Sequence, residues 1–92
     1  DVSLADAVLM YSDPNNIGKA LDELVRITEK LIIIIERVTE NEENNDYIWS
    51  RNYPQLMKDR GCEVETIKLD ETTWPSSIGW QTKGHVVVCR LP

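Results

Sequence analysis

The chain has 92 residues, 41% of them hydrophobic, and its 16 acidic and 10 basic residues give a net charge of −6. This size predicts one domain, residues 1–92, and no stretch approaches the roughly 20 apolar residues that span a bilayer. The acidic surface repels phosphate backbones, which argues against direct nucleic-acid binding and favours a basic or neutral protein partner. Because no basic segment followed by an apolar one stands at the start, we expect no signal peptide and a cytoplasmic location.

The first predicted element is a short helix that begins after Ser3 and continues to about Tyr11. Serine is a good N-cap because its side-chain oxygen accepts a hydrogen bond from a free backbone N–H of the first helical turn. The residues that share one face of this helix are Leu4, Ala7 and Val8. The polar segment 12–16 then breaks the helix. Pro14 in it suits the first position of a second helix, and Asp13 or an adjacent asparagine can cap the free N–H groups that follow.

A long amphipathic helix is predicted over residues 15–42. Its apolar residues are spaced alternately by four and three positions, which averages to the 3.5-residue repeat of packed helices. This seam consists of Ile17, Leu21, Leu24, Thr28, Leu31, Ile35 and Val38. The isoleucine run 32–35 is also compatible with a buried strand, but the continuous seam on both sides of it favours a helix.

The apolar surface of this long helix is wider than a chain of this size covers by itself, because further isoleucines lie beside the seam. We therefore expect a homo-oligomer, a dimer or higher, that forms through the long helix. The predicted interface consists of Leu24, Leu31, Ile32, Ile35 and Val38.

Acidic residues are concentrated just after this helix, in the segment 40–46. Carboxylates at a helix C-terminus oppose the helix dipole, so a cluster there costs local stability. A solvated helix end is the ordinary explanation, and a surface that binds a partner is the functional one. The predicted partner-binding carboxylates are Glu40, Glu42, Glu43 and Asp46.

The second half of the chain is predicted to contain a third helix and two strands. The helix covers 47–60, with Pro54 at its start or at a kink, and Gly61 supplies the left-handed residue that ends it. Strands over 62–73 and 85–91 follow, separated by turns at 75–79 and 83–84. The predicted fold class is α+β, in which a helical half (1–43) packs with a helix-strand-turn-strand half (47–92) that ends in a small antiparallel hairpin.

The two cysteines do not form a metal-binding pair, and they lie far apart in the sequence. A hairpin register that places Ile67 near Gly84 would put Cys62 opposite Cys89, either as two reduced core thiols or as a disulfide. The single histidine, His85, lies about 13 Å along the strand from Cys89, too far for shared metal coordination. We therefore expect no metal, no cofactor and no catalytic triad, and predict that the chain is not an enzyme.

Aromatic residues flank the predicted turn at 75–79, where Trp74 and Trp80 are either partner-binding anchors or lids of a small core. The favoured function is a small acidic interaction protein that self-associates through its long helix and binds a macromolecular partner as a regulator or inhibitor. One form of this hypothesis has the protein occupy a partner's nucleic-acid-binding site. The alternative is a protein that binds a nucleotide-like metabolite in a pocket between subunits. That pocket would be formed by Trp74, Trp80, Arg60 and Lys83.

Overall fold

The computed structural model of the protein describes residues 2–45, 48–70, 72 and 78–92. This part of the chain forms six strands, three α-helices and one 3₁₀ turn. In chain order they are β1 (Val2–Asp6), the 3₁₀ turn (Leu9–Tyr11), α1 (Pro14–Ile27), β2 (Leu31–Arg37), β3 (Glu43–Asn45), β4 (Ile48–Ser50), α2 (Tyr53–Lys58), β5 (Glu63–Lys68), α3 (Ile78–Lys83) and β6 (Gly84–Arg90). Over the described residues, no helix is long and apolar enough to span a membrane.

Four of the strands form one sheet in the order β1-β2-β6-β5. β1 is parallel to β2, and α1 makes the crossover between them. β6 lies between β2 and β5 and is antiparallel to both. The strands β1, β2 and β5 therefore run in the same direction, and their carboxyl ends lie at the same end of the sheet.

β3 and β4 form a separate antiparallel pair. A single bridge between Val38 and Arg51 connects the end of β2 to the residue after β4.

The predicted long helix is wrong, because its second half is the strand β2. α1 ends at Ile27, and Thr28 has an extended backbone. In β2 the side chains alternate between buried and half-buried positions, with Ile32, Ile34 and Glu36 fully buried. An uninterrupted apolar run satisfies a period of two as well as a period of 3.5. The β-branched isoleucines decide between the two periods, since they pack well on a pleated sheet and are mediocre helix formers.

Other boundaries also differ from the prediction. The first element is a strand, and the hydroxyl of Ser3 forms a hydrogen bond with that of Thr28 in place of an N-cap bond. The third helix is shorter than predicted, because the residues before Asn52 form β4, and α3 occupies part of the region in which turns are expected. The fold is mixed α+β, but the predicted arrangement of three helices and a hairpin is wrong.

Three local predictions are confirmed. Asp13 caps α1 by accepting hydrogen bonds from the backbone N–H groups of Asn15 and Asn16, with Pro14 at the first helical position. Gly61 has a left-handed φ of 85° after α2. The strands β5 and β6 are antiparallel neighbours, as expected for the last two strands.

The two faces of the sheet are covered unequally. α1 and α2 pack against one face and bury a core of Ala5, Leu9, Ile17, Leu21, Ile32, Ile34, Tyr53, Met57, Cys62, Val87 and Cys89. The other face carries a smaller cluster of Met10, Leu69 and Trp80, on which Ile35 and Val86 pack. The outer strand β1 contributes Ala5 to the larger core, whereas Val2 and Leu4 in it are 62% and 63% exposed.

Candidate functional site

The outer edge of β1 is unpaired among the described residues, since β1 bonds to β2 alone. The N–H of Ala7 donates to the Ile35 carbonyl at 2.9 Å. Bonding residues alternate along a parallel ladder, so the backbone groups of Val2, Leu4 and Asp6 point away from the sheet. An unpaired apolar edge is a template for a further strand, and neither proline nor lysine lies in β1 to block it.

An apolar groove runs beside this edge, between β1 and α1. It has a volume of about 350 Å³. The lining residues are Leu4, Ala5, Val8, Leu9, Ala20, Glu23, Leu24 and Ile27. Glu23 is the one charged side chain among them, and it forms an exposed ion pair with Arg26 on the surface of α1. We call the outer edge of β1 the β1 edge, and together with the groove it forms a continuous apolar surface.

Val8 and Leu9 of the groove lining belong to residues 7–11, which we call the end turn. The buried carboxylate of Glu36 holds this turn in place, because its Oε2 accepts hydrogen bonds from the N–H groups of Val8 at 2.9 Å and Leu9 at 2.8 Å. Burial raises the pKa of Glu36 to about 7, although the two amide hydrogen bonds act in the opposite direction, and the nearby charge of Asp6 raises the pKa further.

A second buried charge, Arg51, lies close to the end turn. Its Nη2 donates to the Ser12 carbonyl at 2.6 Å, and its Nε lies 3.0 Å from the Glu42 carboxylate. The guanidinium also lies over the rings of Trp49 and Tyr53, at 5.7 and 5.9 Å from their centroids. Burial raises the pKa of the Tyr53 phenol, so this hydroxyl stays protonated.

The predicted acidic surface is only partly free. Glu40 is exposed, but Glu42 pairs with Arg51, and Glu43 pairs with Lys83 at 3.0 Å. Asp46 lies outside the described residues. Because the segment follows a strand and not a helix, the predicted opposition to a helix dipole is wrong.

Within one chain, the described residues of the predicted inter-subunit pocket do not lie together. Trp80 is buried against Met10 and Leu69 on one face of the sheet, with the Arg37 guanidinium 5.4 Å from its ring centroid. Arg60 lies on the other face, where its Nε donates to Asp22 at 2.8 Å.

Two further members of that predicted pocket do not complete it. Lys83 is paired with Glu43, and Trp74 lies outside the described residues. The remaining two members, Trp80 and Arg60, lie on opposite faces of the sheet, which separates them.

The predicted oligomer interface is also dispersed. Ile32 is fully buried in the larger core, on which Val38 packs, whereas Ile35 packs on the smaller cluster. Leu31 is half-buried in β2, next to Ile32 and on the opposite face of the strand. Leu24 alone among these residues lines the groove. A common helical stripe does not exist, because Leu24 lies in α1 and the other four residues lie in β2 or directly after it.

The two cysteines are buried free thiols. Cys89 lies opposite Val64, so the predicted register is wrong by two residues and Cys62 is a diagonal neighbour of Cys89. Burial raises the pKa of Cys62, and it raises that of Cys89 to about 12, so both thiols are poor nucleophiles. Over the described residues, no group of three potential metal ligands is present.

Sequence reasoning did not identify the β1 edge, the groove or the role of Glu36. The alternation of exposed Val2 and Leu4 with Ser3 and Ala5 is the signal that could have identified β1 as a strand.

Comparison with known protein families, curated protein sequences and solved structures gave no match for this chain.

Proposed function

We propose that this chain is a non-enzymatic interaction module that binds an extended segment of a partner polypeptide at the β1 edge and in the adjacent groove. The observation that supports this function is the continuity of the two features. Among the described residues, the outward backbone groups of Val2, Leu4 and Asp6 have no strand partner, and Leu4 also lines the apolar groove. Strand addition uses both, because main-chain hydrogen bonds supply affinity and pockets for alternate side chains supply specificity.

The chemistry of the surface indicates the partner segment. Five residues of β1 match a strand of similar length, and alternate side chains of that strand would point into a groove lined almost entirely by apolar residues. The net charge of −6 favours a segment whose other side chains are basic or neutral. The same charge disfavours a second copy of the chain, because two acidic molecules repel each other.

A regulatory or inhibitory role fits this mode of binding, because a partner segment paired with β1 is withheld from other interactions. The sequence-based proposals of a basic or neutral protein partner and a cytoplasmic location are retained, and the buried free thiols support a reducing compartment. Self-association through a long helix is not retained, since that helix does not exist.

The test uses a synthetic seven-residue peptide of alternating lysine and valine, titrated into the intact chain by calorimetry. A peptide of the same composition with its valines contiguous is the control for alternation. We expect the alternating peptide to bind, and expect Leu4→Lys at the β1 edge and Leu24→Glu in the groove each to weaken binding at least about tenfold.

Ile67→Lys is the matched control variant, because Ile67 is an apolar residue, 54% exposed, on the opposite outer strand β5. It should bind the peptide as the parent does. Equal affinity of the Leu4→Lys variant and the parent would refute the proposal. Sedimentation at tens of micromolar should give one chain, and a dimer that Leu4→Lys dissociates would assign the surface to a second copy instead.

A further inference from the structure

Helix α1 carries more apolar surface than β1 covers. Ile17 and Leu21 are buried in the larger core, against the sheet. Ala20, Leu24 and Ile27 follow one another at spacings of four and three residues, so they form a second stripe along the helix. This stripe lines the groove, where Ile27 is 52% exposed and Leu24 is half-buried. The groove is therefore the space that one further strand would occupy beside β1 and beneath α1.

The register of the sheet shows which positions of an added strand would face α1. Ser3 and Ala5 pair with Ile32 and Ile34, which are buried on the side of the sheet that α1 covers. Residues directly opposite each other on neighbouring strands place their side chains on the same face. The side chains of an added strand that face α1 are therefore those opposite Ser3, Ala5 and, beyond the end of β1, Ala7.

These positions differ in their access to the groove. Ser3 does not line it, and the Ser3 hydroxyl forms a hydrogen bond with that of Thr28, which is buried. Ala7 follows the last residue of β1 and has a left-handed φ of 54°, so the chain turns out of the sheet there. Ala5 faces α1 and lines the groove. The side chain opposite Ala5 is thus the one that is placed to enter the groove.

The lining favours a large side chain without polar atoms at this position. Ala5 and Ala20 are the smallest of the lining side chains, and they leave space that larger ones would fill. Glu23 is the one charged residue of the lining, and it is engaged in an exposed ion pair with Arg26. A polar atom inserted among the other lining side chains would lose its hydrogen bonds to water without replacement.

We propose that the groove is a specificity pocket for one large apolar side chain of the bound segment, of the phenylalanine or leucine type, at the position opposite Ala5. This inference rests on the proposed function, and it names the feature by which the site distinguishes one extended segment from another. Main-chain pairing along β1 supplies affinity to many segments, whereas a pocket for a side chain supplies selection among them.

The first experiment compares three seven-residue peptides by calorimetry on the intact parent chain. One alternates lysine and valine with lysine at both ends, one has phenylalanine in place of the central valine, and one has phenylalanine in place of all three valines. We expect the single phenylalanine to raise affinity about tenfold, because it buries more apolar area than valine. The other two should add at most about threefold, since they only allow three registers to place a phenylalanine opposite Ala5. A tenfold gain from each phenylalanine would contradict a single pocket.

The second experiment fills the groove from α1. Ala20→Leu should lower the affinity of the single-phenylalanine peptide about tenfold, to that of the lysine-valine peptide. Lys19→Leu is the matched control, because Lys19 is exposed on α1 and does not line the groove. This variant should keep the gain from phenylalanine. If Ala20→Leu keeps it as well, the phenylalanine lies elsewhere and the inference is wrong.

Methyl NMR locates the bound ring in the parent chain without any variant. The ring current of the phenylalanine should shift the methyl protons of both Ala5 and Ala20 relative to the complex with the lysine-valine peptide. Unshifted methyl protons in a complex with the phenylalanine peptide would refute the pocket.

The outcomes separate this inference from the proposed function. If all three peptides bind with equal affinity, the pocket is refuted and the proposed function stands. If no peptide binds but N-acetyl-phenylalaninamide shifts both alanine methyl groups, the proposed function is refuted and the pocket stands. If neither the peptides nor this probe binds, both are refuted.

Discussion

Arg51 donates a hydrogen bond of 2.6 Å to the carbonyl of Ser12, a residue 39 positions earlier in the chain. The bond joins the residue after β4 to the segment before α1. The guanidinium is 1% exposed, and it also lies 3.0 Å from the half-buried carboxylate of Glu42. This side chain therefore connects three separate parts of the sequence inside the protein.

Truncation of Arg51 should be strongly destabilising. Arg51→Ala leaves the Ser12 carbonyl and the Glu42 carboxylate without their cation, and we expect it to lower the free energy of unfolding by about 3 kcal/mol. Chemical denaturation measures this change. Arg26→Ala is the control, since Arg26 forms an exposed ion pair on α1 and its loss should leave stability unchanged. Equal midpoints for the Arg51 variant and the parent would contradict this role.

Glu36 should make the stability of the protein fall as the pH rises. Its pKa of about 7 in the folded chain lies above the ordinary value of 4.5, so the folded chain holds a proton that the unfolded chain releases. The stabilisation is complete below pH 4.5 and is lost by the time the pH passes 7. One pKa unit corresponds to about 1.4 kcal/mol, so the loss is about 3 kcal/mol. The difference in unfolding free energy between the parent and Glu36→Gln, measured from pH 4.5 to 8, should show this slope.

Substitutions at Ala7 should report the strain in its backbone. Ala7→Gly should leave the unfolding free energy within about 0.5 kcal/mol of the parent, because relief at φ 54° is offset by a more flexible unfolded chain and a lost methyl contact. Ala7→Val should lower it by about 2 kcal/mol, since a β-branched residue fits the left-handed region poorly. Thermal unfolding of both variants provides the measurement. A valine variant as stable as the glycine variant would contradict the left-handed conformation.

The cysteine thiols should be unreactive in the folded protein. Cys62 and Cys89 are buried, and their raised pKa values keep them in the poorly nucleophilic thiol form at pH 8. We expect iodoacetamide to modify both at least about 100-fold more slowly than in denaturant, as followed by mass spectrometry. Rapid native labelling of Cys89 would place it outside the core.

Local signals in the sequence predicted local features correctly. Asp13 and Pro14 mark the start of α1, and Gly61 marks the turn after α2, because caps and left-handed residues depend on a few neighbouring atoms. The isoleucine run of β2 could not be assigned in this way. Its neighbours in the sheet, β1 and β6, are distant in sequence, and their pairing decides between strand and helix.

The candidate site depends on the same distant pairings. Leu24 was predicted to lie at an interface and does line the groove, but the partner side of the groove is β1, which the sequence suggested was a helix. Glu36 falls within the predicted long helix, and only its place in β2 brings it to the amides of Val8 and Leu9. Trp80 and Arg60 were predicted to line one pocket between subunits, but within one chain they lie on opposite faces of the sheet.

The central position of β6 has a consequence for how the chain folds. β2 and β5 each pair with β6, and β6 follows every other described element in chain order. The residues of β2 and β6 that meet are roughly 50 positions apart, so their contact requires the closure of a long loop. Contacts between residues so distant in sequence slow folding. The sheet should therefore consolidate in a late, cooperative step, before which β1, α1 and β2 lack the strand that completes their core.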